Sequence, residues 1–173
     1  MRILKRLCTI VGSMSEWSGR VVMFLVLVLV ASITYDVVMR YVFDAPTIWS
    51  YSFSYMLGTS IVAMGMPYVH HRGGNVRVDI LYSRLPLKVR LTLDVVLSIV
   101  LFFTFAIALT VVFTLDAWQA LVTHEVATDT AWYPILWPFK TVIAISFILL
   151  LAQGSANFAR DVLALRHGGE QPW

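Results

Sequence analysis

At 173 residues, 59% hydrophobic, 13% charged and with a mean hydropathy of +0.78, the chain is too apolar for a water-soluble domain of its length and reads as an integral membrane protein. Its net charge of +3 does not point to nucleic acid, because the basic residues flank apolar runs instead of forming a stripe with interleaved aromatics. The single cysteine, Cys8, excludes an intrachain disulfide, a CxxC redox pair and a multi-thiolate metal site.

In chain order, residues 3–18 place Ile3, Leu7, Ile10, Met14 and Trp17 on one side at helical spacing, with Arg2, Lys5, Arg6, Thr9, Ser13 and Glu16 largely opposite. That pattern predicts an amphipathic helix lying in the membrane interface, its basic side toward anionic headgroups. The apolar run that follows is too long for a signal-peptide core and lacks a small-residue cleavage site, so it is expected to be retained as a first span over 20–43. Asp36 and Arg40 lie four apart near the outer end of this span and can pair on one helical face. Two readings fit them, an interfacial ion pair and a contact to a partner membrane protein. Pro46, in the turn 44–47, stops the helix, and so short a connection makes the first two spans antiparallel neighbours.

The second span, 48–69, opens at Trp49 and carries no charge. Ser50, Ser54 and Gly58 recur every four residues, and Gly65 follows Gly58 by one heptad. In lipid, such small-residue faces let helices approach closely, and internal packing is the expectation. A basic loop follows over 70–88, holding Arg72, Arg77, Arg84 and Lys88 against one acid, Asp79. His70 and His71 are adjacent and so point to different helix faces, and no further mid-membrane histidine completes a bis-histidine site. The third span covers 89–116, with Arg90 and Asp94 four apart at its inner end. A polar loop over 117–131 holds His124, Glu125 and Asp129, ligand types whose spacing matches no fixed metal geometry, so a solvated loop is expected. The fourth span, 132–158, opens on an aromatic belt of Trp132, Tyr133 and Trp137, from which Lys140 is expected to snorkel to the surface. A polar tail, 159–173, closes a single membrane domain.

Charge sets the orientation. With the N-terminus in the cytoplasm, eleven of the thirteen Lys and Arg residues fall on the cytoplasmic side, and only Arg40 and Lys140 fall on the other. The positive-inside rule then predicts an all-α protein of four transmembrane helices with both termini inside. The deep parts of these spans hold no ionisable residue, and no phosphate-cradling glycine loop, helical HExxH or paired membrane histidine occurs. Self-contained catalysis or transport is therefore not expected, nor is a cofactor or metal; the pattern suits a helper subunit.

Arg40-Tyr41-Val42-Phe43 closing the first span, then Pro46-Thr47-Ile48-Trp49, a glycine-bearing second span and Asn75-Val76-Arg77-Val78-Asp79 together resemble the small membrane subunit, DctQ type, of tripartite ATP-independent periplasmic (TRAP) transporters. The resemblance covers about residues 20–160. Two departures stand out. Many members of that family have a histidine where this chain has Asn75, and an acidic residue shortly after the tryptophan, where it has Ser50-Tyr51-Ser52. The resemblance implies a non-enzymatic scaffold in the bacterial inner membrane, partnered by a large elevator-type transport subunit and a periplasmic solute-binding protein, in sodium-coupled uptake of solutes that are commonly carboxylates. Asp36, Arg40, Trp49, Ser50, Ser54, Gly58, Gly65, Arg77 and Asp79 are the candidate subunit-contact or structural residues. Two other classes stay open from the residues alone. One is a four-helix membrane oxidoreductase or haem subunit, on His70, His71 and the aromatic content; the other is a self-assembling four-span channel, on the small-residue face.

Overall fold

The computed structural model describes residues 2–74, 86–128 and 132–166. Those residues are helical apart from short connections and one isolated antiparallel bridge, Val126 to Ile135. The elements are α1 (Arg2–Val42), α2 (Ser50–His71), α3 (Leu87–Leu97), a π-helical turn (Ser98–Phe103), α4 (Thr104–Thr123) and α5 (Trp137–Arg166). Three stretches are long and apolar enough to cross a membrane: Cys8–Val42, Val95–Thr123 and Trp137–Leu163. At 22 residues, α2 reaches about 33 Å, the height of a hydrocarbon core, although its serines make it more polar than the other three.

The expected border between an interfacial helix at 3–18 and a first span at 20–43 is not a break in the chain's path. Instead α1 is one helix of 41 residues, about 60 Å long and twice the thickness of the hydrocarbon core. Nothing between Arg2 and Arg40 interrupts it, because no proline occurs there and both glycines serve packing. A Cβ on Gly12 would lie 2.6 Å from the His71 ring, and one on Gly19 would lie 2.5 Å from the Tyr68 ring. The C-terminus of α2 therefore presses two rings into α1 at positions one heptad apart. This sets which side of α1 is buried. Cys8, Gly12, Ser15 and Ser18 face the protein, while Ile10, Met14 and Trp17 face outward. Of the apolar stripe read from the sequence, Ile10, Met14 and Trp17 are exposed, and the face turned inward is the small and polar one, because only small side chains permit so close an approach.

α1 ends as the turn chemistry requires. Asp44 takes the left-handed conformation (φ 49°), the Ala45 N–H reaches back to the Met39 carbonyl at 3.0 Å, and Pro46 follows, which cannot continue the helix. The chain then enters α2, which runs antiparallel to α1 and carries a buried proline, Pro67, in its last two turns. The span expected at 48–69 is the helix Ser50–His71. The one expected at 89–116 extends to Thr123, and the one expected at 132–158 begins at Trp137 and runs to Arg166.

α5 is the helix the others share. α1 packs mainly on α2 and also reaches α5 through Cys8 and Ser15, α2 packs also on α5, and α4 packs on α5, so the four long helices form an open row in the order α1, α2, α5, α4 that is drawn together where α1 meets α5. α2 and α4 share no extended seam. They meet through one buried apolar cluster of Ala63, Ile143 and Phe147, with Phe113, Phe139 and Leu150 against it. On α5, Gly154 admits the Phe102 ring so closely that an added Cβ would overlap Cε1 and Cζ. Phe102 comes from the π-helical turn, whose wider winding lets two adjacent rings both reach the bundle: Phe102 toward Gly154, and Phe103 edge-on to Phe158 at 5.4 Å.

Phe102 has little room to yield, since it is stacked on His70 (4.8 Å, 4° between planes) and edge-on to Phe103 (5.5 Å). Gly154→Ala should therefore destabilise the protein by about 1–3 kcal/mol, the range of overpacking in a filled interior. Gly65→Ala, whose Cβ meets no atom within 4 Å, should instead leave stability unchanged or raise it by up to about 1 kcal/mol, the helix-propensity gain of alanine over glycine. Thermal unfolding of the two variants in detergent compares them directly.

Candidate functional site

No group of three or more His, Cys, Asp or Glu side chains suited to a metal ion occurs among the described residues. The polar side chains instead gather into knots at the two ends of the helix row, with an open groove along one flank.

The first knot joins α1 to the turn before α2. Asp36 forms the expected i,i+4 ion pair with Arg40 at 2.9 Å. Its other oxygen accepts from the Thr47 backbone N–H at 3.2 Å and from the Thr47 hydroxyl. Asp36 thus ties the end of α1 to the residues that launch α2, and Arg40 keeps a half-exposed guanidinium at the rim. Trp49 lies beside it, stacked on Tyr35 (6.1 Å) and edge-on to Phe53 (5.7 Å). Ser50 is buried there.

The second knot, at the same end, corrects the expectation for Lys140. Its ammonium does not snorkel away; it bonds Asp116 of α4 at 2.9 Å and Glu125 at 2.7 Å, and its side chain is only 16% exposed. The reason is local. α4 ends at Thr123 with His124 in a left-handed cap (φ 49°), which turns Glu125 back over the start of α5. The connection is held by Ala127 N–H to the Pro134 carbonyl and Leu136 N–H to the Glu125 carbonyl, both 2.9 Å. Glu125 therefore belongs to an ion cluster and not to a free solvated loop, while Asp129 lies outside the described residues.

The third knot occupies the opposite end, and the sequence reading did not anticipate it. Ser15 Oγ donates to Gln153 Oε1, Gln153 Nε2 donates to Asn157 Oδ1, and Asn157 Nδ2 donates to the His70 carbonyl, each at 3.1 Å. Ser15 and Gln153 are fully buried. The chain of bonds links α1 to α5 and α5 to α2 through two sequence-distant steps and one i,i+4 step within α5, and every one satisfies a group that would be costly to leave unpaired in an apolar setting. Next to it, Arg72 bonds Glu16 at 3.0 Å and lies 5.6 Å above the Tyr68 ring. The sequence signal for this knot is Gln153 and Asn157 at i,i+4 in an otherwise apolar span. His70 and His71 do not share a site: the first stacks on Phe102 and the second packs on Gly12.

The small-residue face of α2 divides. Ser50 is buried and the Ser54 hydroxyl oxygen is shielded, but Gly58 and Gly65 open onto empty space instead of packing internally. The residues of α2 that do pack inward are Ser52, Ser60, Ala63 and Pro67, on a different set of turns. Arg77 and Asp79, like Asn75, lie outside the described residues, and so do the side chains of Arg90 and Asp94.

Gln153→Leu removes the central member of the third knot and orphans groups on two helices. It should lower stability by about 1–3 kcal/mol, the cost of leaving buried polar groups unpaired. Lys140→Met leaves Asp116 and Glu125 facing one another, and should speed protease cleavage in the 124–136 connection without comparable loosening of α1. Thermal unfolding and limited proteolysis separate the two effects.

No curated protein matches the chain. The family described as "Tripartite ATP-independent periplasmic transporters, DctQ component" matches residues 29–164, which takes in the end of α1, all of α2 to α4 and nearly all of α5. The long apolar helices agree with the multi-pass membrane character of such a component, and its place in a tripartite system implies a large membrane subunit and a periplasmic binding protein as partners. The chain belongs to the DctQ family and is the small membrane subunit of a TRAP transporter.

Proposed function

We propose that this subunit is a static scaffold in the bacterial inner membrane, with both termini in the cytoplasm and four crossings, α2 supplying the second. On this reading it broadens and anchors a large elevator-type transport subunit, which carries the substrate and sodium sites, while its outer end faces the solute-binding protein. Carboxylates are the expected cargo. The observation that carries the scaffold role is the open helix row. Over an 18-residue apolar segment of each, only 6% of α1 and 6% of the span Val95–Thr123 is buried within the chain, against 39% in α5. Two whole helices thus offer their sides to lipid and partner, and the polar knots that fix the row lie at its ends.

The positions of the knots support the same role. Asp36 and Thr47 hold the α1–α2 turn, and Lys140 holds the α4–α5 connection, so the end that faces outward in this orientation has two rigid ledges. Ionisable groups that would have to change partners during a transport cycle are not required of such a part. Arg40, Trp49, Ser50, Ser54, Gly58 and Gly65, with Arg77 and Asp79, are the proposed subunit-contact or structural residues. Of those that are described, Arg40, Gly58 and Gly65 have the most open surroundings.

Co-expression with the large membrane subunit should give a complex that survives purification, and the chain alone in liposomes should give no sodium-driven uptake. Sodium-driven uptake by the chain alone would overturn the scaffold role. Arg40→Ala should reduce the recovered complex by up to about fivefold, the worth of one partly exposed ion pair. Substrate affinity should be unchanged; a shifted affinity with intact assembly would contradict the proposal.

A further inference from the structure

In α2 the exposed residues are Tyr51, Tyr55, Val62, Met66 and Val69, and between them Gly58 and Gly65 open onto empty space. Tyr51, Tyr55, Gly58, Val62, Gly65 and Val69 follow one another at alternating steps of four and three residues. That is a 3.5-residue period, the period of a seam along which one helix accepts another at a shallow crossing of about 20°. The seam runs about 27 Å along α2, close to a hydrocarbon core about 30 Å thick, and none of its residues is charged. It is distinct from the face of Ser52, Ser60, Ala63 and Pro67, which packs within the chain.

The seam is notched. Tyr51 is 73% exposed, Tyr55 63% and Val62 60%, whereas a Cβ on Gly58 or Gly65 would meet no atom within 4 Å. The two notches lie one heptad apart, about 10 Å along the helix. Beside Gly65 a hollow of about 520 Å³ separates α2 from Phe102 and Leu150. It joins the groove on the flank of the row, about 670 Å³, which lies between α2 and residues 97–109 and closes at Phe147, stacked on Phe113 at 4.7 Å. From Asn157 to Phe147 along α5 is about 15 Å, half of the hydrocarbon core. Beyond that closure Tyr55 leans on Phe139 at 6.3 Å, so the room for added bulk lies beside the half of the seam nearer His71.

This profile discriminates between occupants. Lipid tails are fluid and fill any contour, so they offer nothing in return for two glycines that weaken the helix relative to alanine. A second copy in the same membrane orientation pairs in parallel about an axis along the membrane normal, which sets Gly58 against Gly58 and Tyr55 against Tyr55. The tyrosines and Val62 then hold the two helices apart, and the notches stay unfilled. A helix of different sequence has neither restriction. We propose that the seam receives one transmembrane helix of the large membrane subunit, with bulky apolar side chains one heptad apart that enter at Gly58 and Gly65. The side chain at Gly65 extends into the hollow against Phe102 and Leu150. The inference rests on the reading of the chain as a scaffold for that subunit, and it assigns the contact to one face of α2 instead of to the exposed sides of α1 and α4.

The test is co-purification of the full chain with the large membrane subunit, read beside photocrosslinking in the membrane. The unaltered chain should recover the complex, and its failure to do so removes the scaffold reading itself. Gly58→Leu and Gly65→Leu should each lower recovery by about fivefold or more, the effect of overfilling a packed contact. The chain alone should keep or raise its unfolding midpoint in both variants, because a Cβ at either position meets nothing in the fold. Met23→Trp, at a 71% exposed position of α1, should leave recovery unchanged. A benzoylphenylalanine placed at Val62 should attach to the large membrane subunit. A complex that forms equally well with Gly58→Leu and Gly65→Leu overturns the assignment while leaving the scaffold role intact. A loss as large with Met23→Trp, or attachment from position 62 to a second copy of this chain or to no protein, overturns it as well.

Discussion

The contact on which the rest of the structure depends is the approach of the π-helical turn to α5 at Gly154. Inside a bilayer, burying apolar side chains brings no gain from leaving water, so helices hold together through close van der Waals fit and through polar bonds. α5 offers both on successive faces. Gly154 receives Phe102 on one side, Gln153 receives Ser15 on another, and Ala156 lies at the Cys8 sulfur, 4.0 Å from its carbonyl. One helix can serve three neighbours because its contact residues are small or are amides, and each neighbour brings the bulk. The π-helical turn is part of this arrangement, since it sends two consecutive phenylalanines toward the same helix.

The polar knots act as complements to these close contacts. Small-residue seams tolerate sliding along the helix axis, because one shallow groove resembles the next. A directional bond removes that freedom. Asp36 to Thr47 fixes α1 against the entry to α2, Asn157 to the His70 carbonyl fixes α5 against the exit of α2, and Lys140 to Asp116 fixes α5 against α4. The bonds fall near helix ends, where water and headgroups lower the cost of holding charge, and the apolar cluster of Ala63, Ile143 and Phe147 occupies the space between. Lys140 is held inward for the same reason. With two carboxylates within 3 Å, its ammonium is better solvated by the protein than by reaching past the aromatic belt to the surface.

What the sequence displays clearly is whatever depends on neighbours along the chain. The apolar runs mark the long helices, Pro46 marks the first turn, and the four-residue spacing of Asp36 and Arg40 is enough to pair them. What depends on a distant segment is hidden. Gly12 and Gly19 read locally as weak points in a helix, and only the rings of His71 and Tyr68, which pack on them, explain why α1 runs unbroken past both. Glu125 reads as a loop acid until His124 turns the chain back toward Lys140. Ser15 and Gln153 are separated by most of the chain, so their bond has no local trace. The one clue is that Gln153 and Asn157 are amides four apart in a span that otherwise needs none. The inward face of α1 has a related signature, reversed from the rule in water: the hydrophobic stripe of Ile10, Met14 and Trp17 stays exposed, and small residues mark the inside.

The same reversal bears on α2. Its inward residues, Ser52, Ser60, Ala63 and Pro67, are small or rigid, yet so are Gly58 and Gly65, which face empty space. A glycine on an exposed helix interior costs about 1 kcal/mol in helix propensity relative to alanine, and here no turn, positive φ or internal contact requires it. α2 therefore carries two surfaces suited to close approach, and the chain itself fills only one. A subunit whose helices form an open row, with one flank groove ending at half the membrane's depth, leaves that second surface to something outside the chain. The close fit that organises α5 from within is available a second time on α2, on the side where the chain provides no helix of its own.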